Sequence, residues 1–183
     1  MSDASPFANP AAGAAGAAAA YVAALLELVG EREPLALMAE LLPEVRRLVA
    51  PLDARQLATP EAPGKWSIVE VVQHLADTEI VYGYRLRATV AEDRPALAGY
   101  DQGAWAARLH YRDVALEDAL GQLTALRTAN LRWLGTLSPE ERRRVGIHAE
   151  RGEESVEHGL RLLAGHDLVH RRQIERIRQA IGR

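Results

Sequence analysis

The most constraining feature of the chain is the spacing of apolar residues near its C-terminus. From Ser155 to about Ile181, residues Val156, Leu160, Leu163, Ile174, Ile177 and Ile181 recur in alternating steps of four and three, with Asp167 and His170 filling the intermediate slots. That is the period of an α-helix with one buried face. Such a face demands partners, and the sequence supplies them. Residues 34–50 place Leu35, Met38, Leu41, Leu42, Val45 and Val49 at the same spacing, with Pro34 suited to a first helical turn. Pro43 predicts a kink or break within that stretch. Ser67 and Glu70 form a capping box that starts a helix running to about Glu92, with Ile68, Val71, Val72, Leu75 and Val81 on its apolar side. A third long helix covers about 114–136, along the seam Leu116, Leu120, Leu123, Arg127, Asn130 and Leu134.

Four long amphipathic helices and no convincing strand predict an all-α protein, most simply a four-helix bundle. A shorter helix is expected over 17–29, one helical turn near residues 101–109, and another after Ser138. The stretch 146–154 reads as irregular. The connection over 94–113 is long enough to cross the bundle, which allows the helices it joins to run parallel. Residues 1–16 read as a disordered Ala-rich tail and 17–183 as a single domain. The uncharged N-terminal run contains Pro6, Asn9 and Pro10 and has no preceding Lys or Arg. It suits neither a membrane span nor an export signal, so a cytoplasmic protein without membrane attachment is expected.

Composition then narrows the chemistry. The 183 residues include 33 Ala and 25 Leu, which favour helix, and no Cys. Disulfides, thiolate nucleophiles and Cys-ligated metals are excluded. With 22 basic and 25 acidic residues, the net charge is −3, and a dedicated nucleic-acid binder would need a basic face. The Arg-rich segments have acidic residues interleaved and read as solvated helix faces. Metal or acid–base chemistry must fall to His, Asp and Glu.

His166 and His170 lie four residues apart, on one helix face, where two imidazoles can reach one metal ion. His170 sits in the apolar seam and so points inward. Asp167, in the adjoining seam slot, is a candidate to orient a ligand imidazole. Gln173 shares the histidine face and could hydrogen-bond a substrate or water. His74 is the best third ligand, inside the apolar stretch of the 67–92 helix, with Asp77 and Thr78 on its face and Arg85 three turns on. Asp77 is a candidate base or ligand-orienting group. Glu79 lies about 140° around the helix from His74 and reads as an ion-pair partner of Arg85 or another Arg. Trp66 is expected to close the entry to its helix. His148 could overhang the site, but a solvated loop histidine is the expectation; His110 and His158 are assigned to loop and rim.

"PGKWSIVEVVQHLADTE" at 63–79, Arg85 and the closing HxxxHxxQI at 166–174 together resemble the DinB-like family of damage-inducible, metal-binding bundle proteins. The resemblance covers about residues 34–180. It implies an up-down-down-up four-helix bundle, a nickel or zinc ion held by His74, His166 and His170, and frequent homodimers. It also implies metal-dependent hydrolysis, or transfer reactions that use low-molecular-weight thiols, on a small-molecule substrate. Three neutral imidazoles leave a divalent ion its full charge and open positions, and a bound water then has its pKa lowered toward about 7. A non-enzymatic stress-response scaffold is the alternative, with the metal only stapling helices. A closed coordination sphere would mark that case and an open one an enzyme. In a chain without cysteine, any reacting sulfur must come from a small molecule.

Overall fold

The computed structural model describes residues 15–182. Residues 1–14 of the expected tail lie outside the described residues, whereas Ala15 and Gly16 already belong to the first helix, α1 (Ala15–Val29). Helix α2 (Pro34–Val49) starts with Pro34 in its first turn and continues through Pro43. A short helix, α3 (Ala54–Ala58), occupies part of the linker that follows, closed by a capping box between Asp53 and Gln56. Helix α4 (Ile68–Ala91) begins at the expected capping box, in which the Ser67 amide donates to Glu70 and the Glu70 amide to the Ser67 hydroxyl. The 94–113 connection holds strand β1 (Ala96–Leu97), helix α5 (Gln102–Arg108) and a 3₁₀ turn at Tyr111–Asp113. Helix α6 (Leu116–Leu134), the short α7 (Pro139–Arg142) and the long α8 (Val156–Ile181) complete the helices.

Side-chain pairs give the helix directions. Gln73 bonds Gln122, and further along Glu79 and Arg87 both reach Asn130, so α4 and α6 run parallel. His74 meets His166 while Leu86 lies against Gly159, so α4 and α8 run antiparallel. The Met38 carbonyl meets Arg127 and Arg46 meets Thr124, so α2 opposes α6. The order α2, α4, α6, α8 is therefore up-down-down-up. The crossover between α4 and α6 is the long connection, as parallel neighbours require. Helix α1 lies outside this ring against α8. Gly165 makes the approach possible, because a Cβ there would sit 2.7 Å from the Leu25 carbonyl oxygen.

The stretch read as irregular is instead a hairpin. Strand β2 (Val145–His148) pairs antiparallel with β3 (Gly152–Ser155) and parallel with β1, giving a three-stranded sheet in the order β1-β2-β3. Its strands are two to four residues long, too short to show a period of two in the sequence. The sheet packs closely on α4. A Cβ on Gly146 would come within 2.8–2.9 Å of Leu97 and Thr89.

Two apolar clusters fill the bundle. One joins Leu41–Val49 of α2 with Ile68–Ala76, Ala119–Leu123 and Ile174–Ile177. The other joins Leu37 and Met38 with Leu86, Leu134 and Val156–Leu168. Between them runs a buried polar layer of His74, Asp77, Glu79, Arg127, Asn130, His166, Asp167 and His170.

Candidate metal centre

His74 comes from α4, and His166 and His170 from successive turns of α8. All three are buried, and one ligand nitrogen from each lies within 4.8 Å of the others. The Nε2 atoms of His74 and His166 are 3.0 Å apart. Two nitrogens on one tetrahedral ion, each at about 2.0–2.1 Å, would stand about 3.3 Å apart, so the spacing suits a shared divalent ion. His170 donates from Nδ1 to the Gln173 side-chain oxygen at 2.7 Å, which leaves its Nε2 as an acceptor. The Nδ1 atoms of His74 and His166 are buried without a partner among the described residues. The rings of the three histidines pack with centroids 4.3–5.0 Å apart, and Trp66 covers His74 at 5.1 Å.

Electrostatics agree with a cation site. Burial pushes His74 and His166 well below the usual imidazole range, with His170 adding to the effect. Burial lowers His170 to about 4, although its bond to Gln173 acts the other way. Three imidazoles kept neutral by their surroundings are three lone pairs ready for a metal. Protons therefore compete for these nitrogens at lower pH than the ordinary imidazole value suggests.

Two neighbours play parts other than those expected. Asp167 does not orient a ligand imidazole. Its two oxygens take a bidentate pair from Arg127, at 2.6 and 3.0 Å. Arg127 also reaches Glu79 at 2.8 Å and the Met38 carbonyl at 2.8 Å. The guanidinium is 1% exposed, and Asp167 and Glu79 more than offset the burial that opposes its charge. This confirms Glu79 as an ion-pair partner, with Arg127 rather than Arg85. Gln173 is half-buried and bonds His170 through its side-chain oxygen, which orients that imidazole.

Asp77 is held by three donors: the Tyr111 hydroxyl at 2.6 Å, Gln122 at 2.9 Å and Gln73 at 3.1 Å. No hydrogen bond joins it to an imidazole among the described residues. It ties α4 to α6 and to the 3₁₀ turn. Burial and the Asp77 bond both keep the Tyr111 phenol protonated.

His148 is not a solvated loop residue. It lies on β2, 2% exposed, and accepts at Nδ1 from the Glu150 amide. Its Nε2 is buried without a partner among the described residues. Burial, aided by Arg151, lowers it to about 4. His148 borders a cavity whose wall includes the candidate ligand His166. The same cavity is lined by Tyr21, Tyr82, Arg85, Tyr100 and Arg151, none of which the helical seams singled out as a group. Helix α1, the hairpin and the α4–α6 crossover bring them together against α4.

Fold and site thus define a helical-bundle protein with a three-histidine centre between its apolar clusters. The sequence model of the DinB superfamily matches residues 38–174. The chain belongs to that superfamily. It is 30% identical over 126 residues to a protein of Oceanobacillus iheyensis, spanning 69% of this chain and 73% of the relative. It is 29% identical over 143 residues to YfiT of Bacillus subtilis, spanning 76% and 79%. Both relatives carry the name "putative metal-dependent hydrolase". The solved structure of YfiT is described as that of a probable metal-dependent hydrolase with an unusual four-helix bundle topology. It superposes with a TM-score of 0.76 at 25% identity, covering 81% of this chain and 86% of YfiT. No helix among the described residues is long and apolar enough to cross a membrane.

Proposed function

We propose that the chain is a metal-dependent enzyme in which His74, His166 and His170 hold one divalent ion, nickel or zinc. The observation that carries this reading is the number of ligands. Three nitrogens converge, and no fourth His, Cys, Asp or Glu joins them among the described residues. A structural site closes its sphere with four protein ligands, whereas a catalytic one keeps a position open. The same observation disfavours the scaffold reading. When bound, such an ion would lower the pKa of a coordinated water or thiol and polarise a substrate carbonyl.

The protein's own groups have separate tasks. Gln173 fixes the tautomer of His170, so that Nε2 presents its lone pair. Asp77, with both oxygens already accepting, positions Tyr111 and the α4–α6 seam rather than taking a proton. Trp66 and the apolar clusters limit water around the imidazoles. Hydrolysis of a small-molecule substrate is the first reading, in keeping with the relatives' names. Transfer to a small thiol is the second, and in a cysteine-free chain its sulfur would have to arrive with the co-substrate.

Cobalt substitution tests the open position. The visible spectrum of the cobalt-loaded protein should change on adding azide or 2-mercaptoethanol, and the change should saturate. A spectrum indifferent to both means a closed site and contradicts the enzymatic reading.

A further inference from the structure

The cavity beside His166 is walled by α1, α4, the β1–α5 segment and the hairpin. At ≈ 70 Å³ it has room for a group of a few heavy atoms rather than for a whole substrate. Its polar wall is rich in unused donors. Arg85 is 6% exposed and makes one hydrogen bond, from Nη2 to the Ala98 carbonyl. Its guanidinium lies 5.5 Å from the centre of the Tyr82 ring. Its Nε is buried and unpaired, and Arg85 forms no salt bridge among the described residues. His148 shows a second unpaired donor. Because Nδ1 accepts from the Glu150 amide, the proton of the neutral ring resides on Nε2, which is buried and unpartnered. Tyr21, Tyr82 and Tyr100 add phenols that burial keeps protonated, Tyr100 being raised to about 12.

Two carboxylates and a second guanidinium lie near the cavity. Arg151 is paired with Glu154, and Glu150 is exposed at the edge of the cavity. Neither carboxylate comes within salt-bridge distance of Arg85, whose guanidinium makes no ion pair among the described residues. A buried guanidinium without an ion pair and a buried imidazole N–H without an acceptor are each costly, so a ligand that satisfies both is favoured.

We infer that this cavity is an anion subsite, in which Arg85 and His148 bind a carboxylate of the substrate beside the three-histidine centre. A carboxylate fits because it is a singly charged acceptor of small volume, matching one guanidinium with an unpaired Nε–H and one unpaired imidazole N–H. The inference rests on the enzymatic reading of the neighbouring centre and adds the class of substrate, one with a carboxylate close to its reacting group.

The test uses the full-length, zinc-loaded protein, titrated with sodium acetate and followed by the ¹⁵N resonance of the Arg85 Nε–H and the Gly99 amide. Acetamide serves as the uncharged isostere and inorganic phosphate as the competing oxyanion. Acetate should give a saturable shift and acetamide none. Arg85→Gln and His148→Phe should each weaken acetate at least tenfold, read on the Gly99 amide, while zinc content stays that of the parent. An acetate bound only to the metal would persist in Arg85→Gln and overturn the assignment. So would equal shifts from acetamide and acetate, or phosphate binding more tightly than acetate. Should either variant fail to fold, the other variant together with the shift of the Arg85 Nε–H itself on the parent still decides. Acetate binding without any zinc uptake sinks the metal reading alone; zinc uptake without acetate binding sinks the subsite alone.

Discussion

At the scale of single residues, the polar layer follows one rule: each buried charge or imidazole has a reason to be there. Arg127 is the clearest case. It stands between Asp167 and Glu79 and also caps the Met38 carbonyl, so one side chain joins α2, α4, α6 and α8. Replacing it leaves two carboxylates buried and facing a void. Arg127→Ala should therefore cost about 3–5 kcal/mol in urea unfolding, the range for breaking a buried pair from one side. Arg127→Lys should recover only part, because an ammonium cannot offer the bidentate fork to Asp167 while reaching Glu79. A loss below about 1 kcal/mol for the alanine variant would show the network to be dispensable. Arg127 and Asn130 were legible in the sequence as polar intruders in an apolar seam. Their partners were not, because helical spacing places a residue on a face without saying which neighbour that face meets. Asp167 was misassigned for that reason: its spacing from His170 was visible, its contact with a helix 40 residues earlier was not.

At the scale of elements, the long helices were readable because they carry strong periodicity and strong ends. Ser67 with Glu70 marked the start of α4, Ser138 with Pro139 that of α7, and Ser155 caps α8 through the His158 amide. The strands were not readable. Their pairing joins Ala96 to Ile147 and Val145 to Ser155, and such short segments gain their stability from the sheet rather than from local preference. The place of α1 was equally hidden, since a glycine in a helix does not say what approaches it. The structure shows that Leu25 sits where a Gly165 side chain would be. Gly165→Ala must push α1 outward, because the obstacle is backbone. The expected cost is about 1–3 kcal/mol. Hydrogen exchange should quicken in α1 well before it does in α4 or α6. Uniform acceleration through the bundle would contradict the view of α1 as a helix docked on α8.

At the scale of the whole molecule, the histidines couple folding to pH in the metal-free protein. His148 and His170 stand at about 4 in the fold against an ordinary 6.5, and burial shifts His74 and His166 the same way. Between pH 6.5 and 4 the unfolded chain therefore binds more protons at these four sites, and stability falls as pH falls. Each such proton is worth about 1.4 kcal/mol per pH unit. Asp167 acts in the opposite sense. Burial, opposed by Arg127, raises it to about 6 against 3.8, so its contribution is lost as pH rises through the same window. One carboxyl stands against four imidazoles, and the net slope is set by the imidazoles. In a chelating buffer, the urea midpoint should drop from pH 6.5 to pH 4.5, and a flat or rising midpoint would contradict the buried neutral state of the four rings.

That neutral state matters because it is what a divalent ion requires. The up-down-down-up bundle brings His74 against His166 and His170, and the proposed function has them hold one such ion. Metal analysis of the full chain, prepared without a polyhistidine tag and equilibrated with zinc or nickel, tests this most directly. One ion per chain is expected, with His74→Ala, His166→Ala and His170→Ala each reducing it below a tenth of an equivalent in a folded protein. Less than a tenth of an equivalent in the unaltered chain, or full occupancy in the histidine variants, would contradict it.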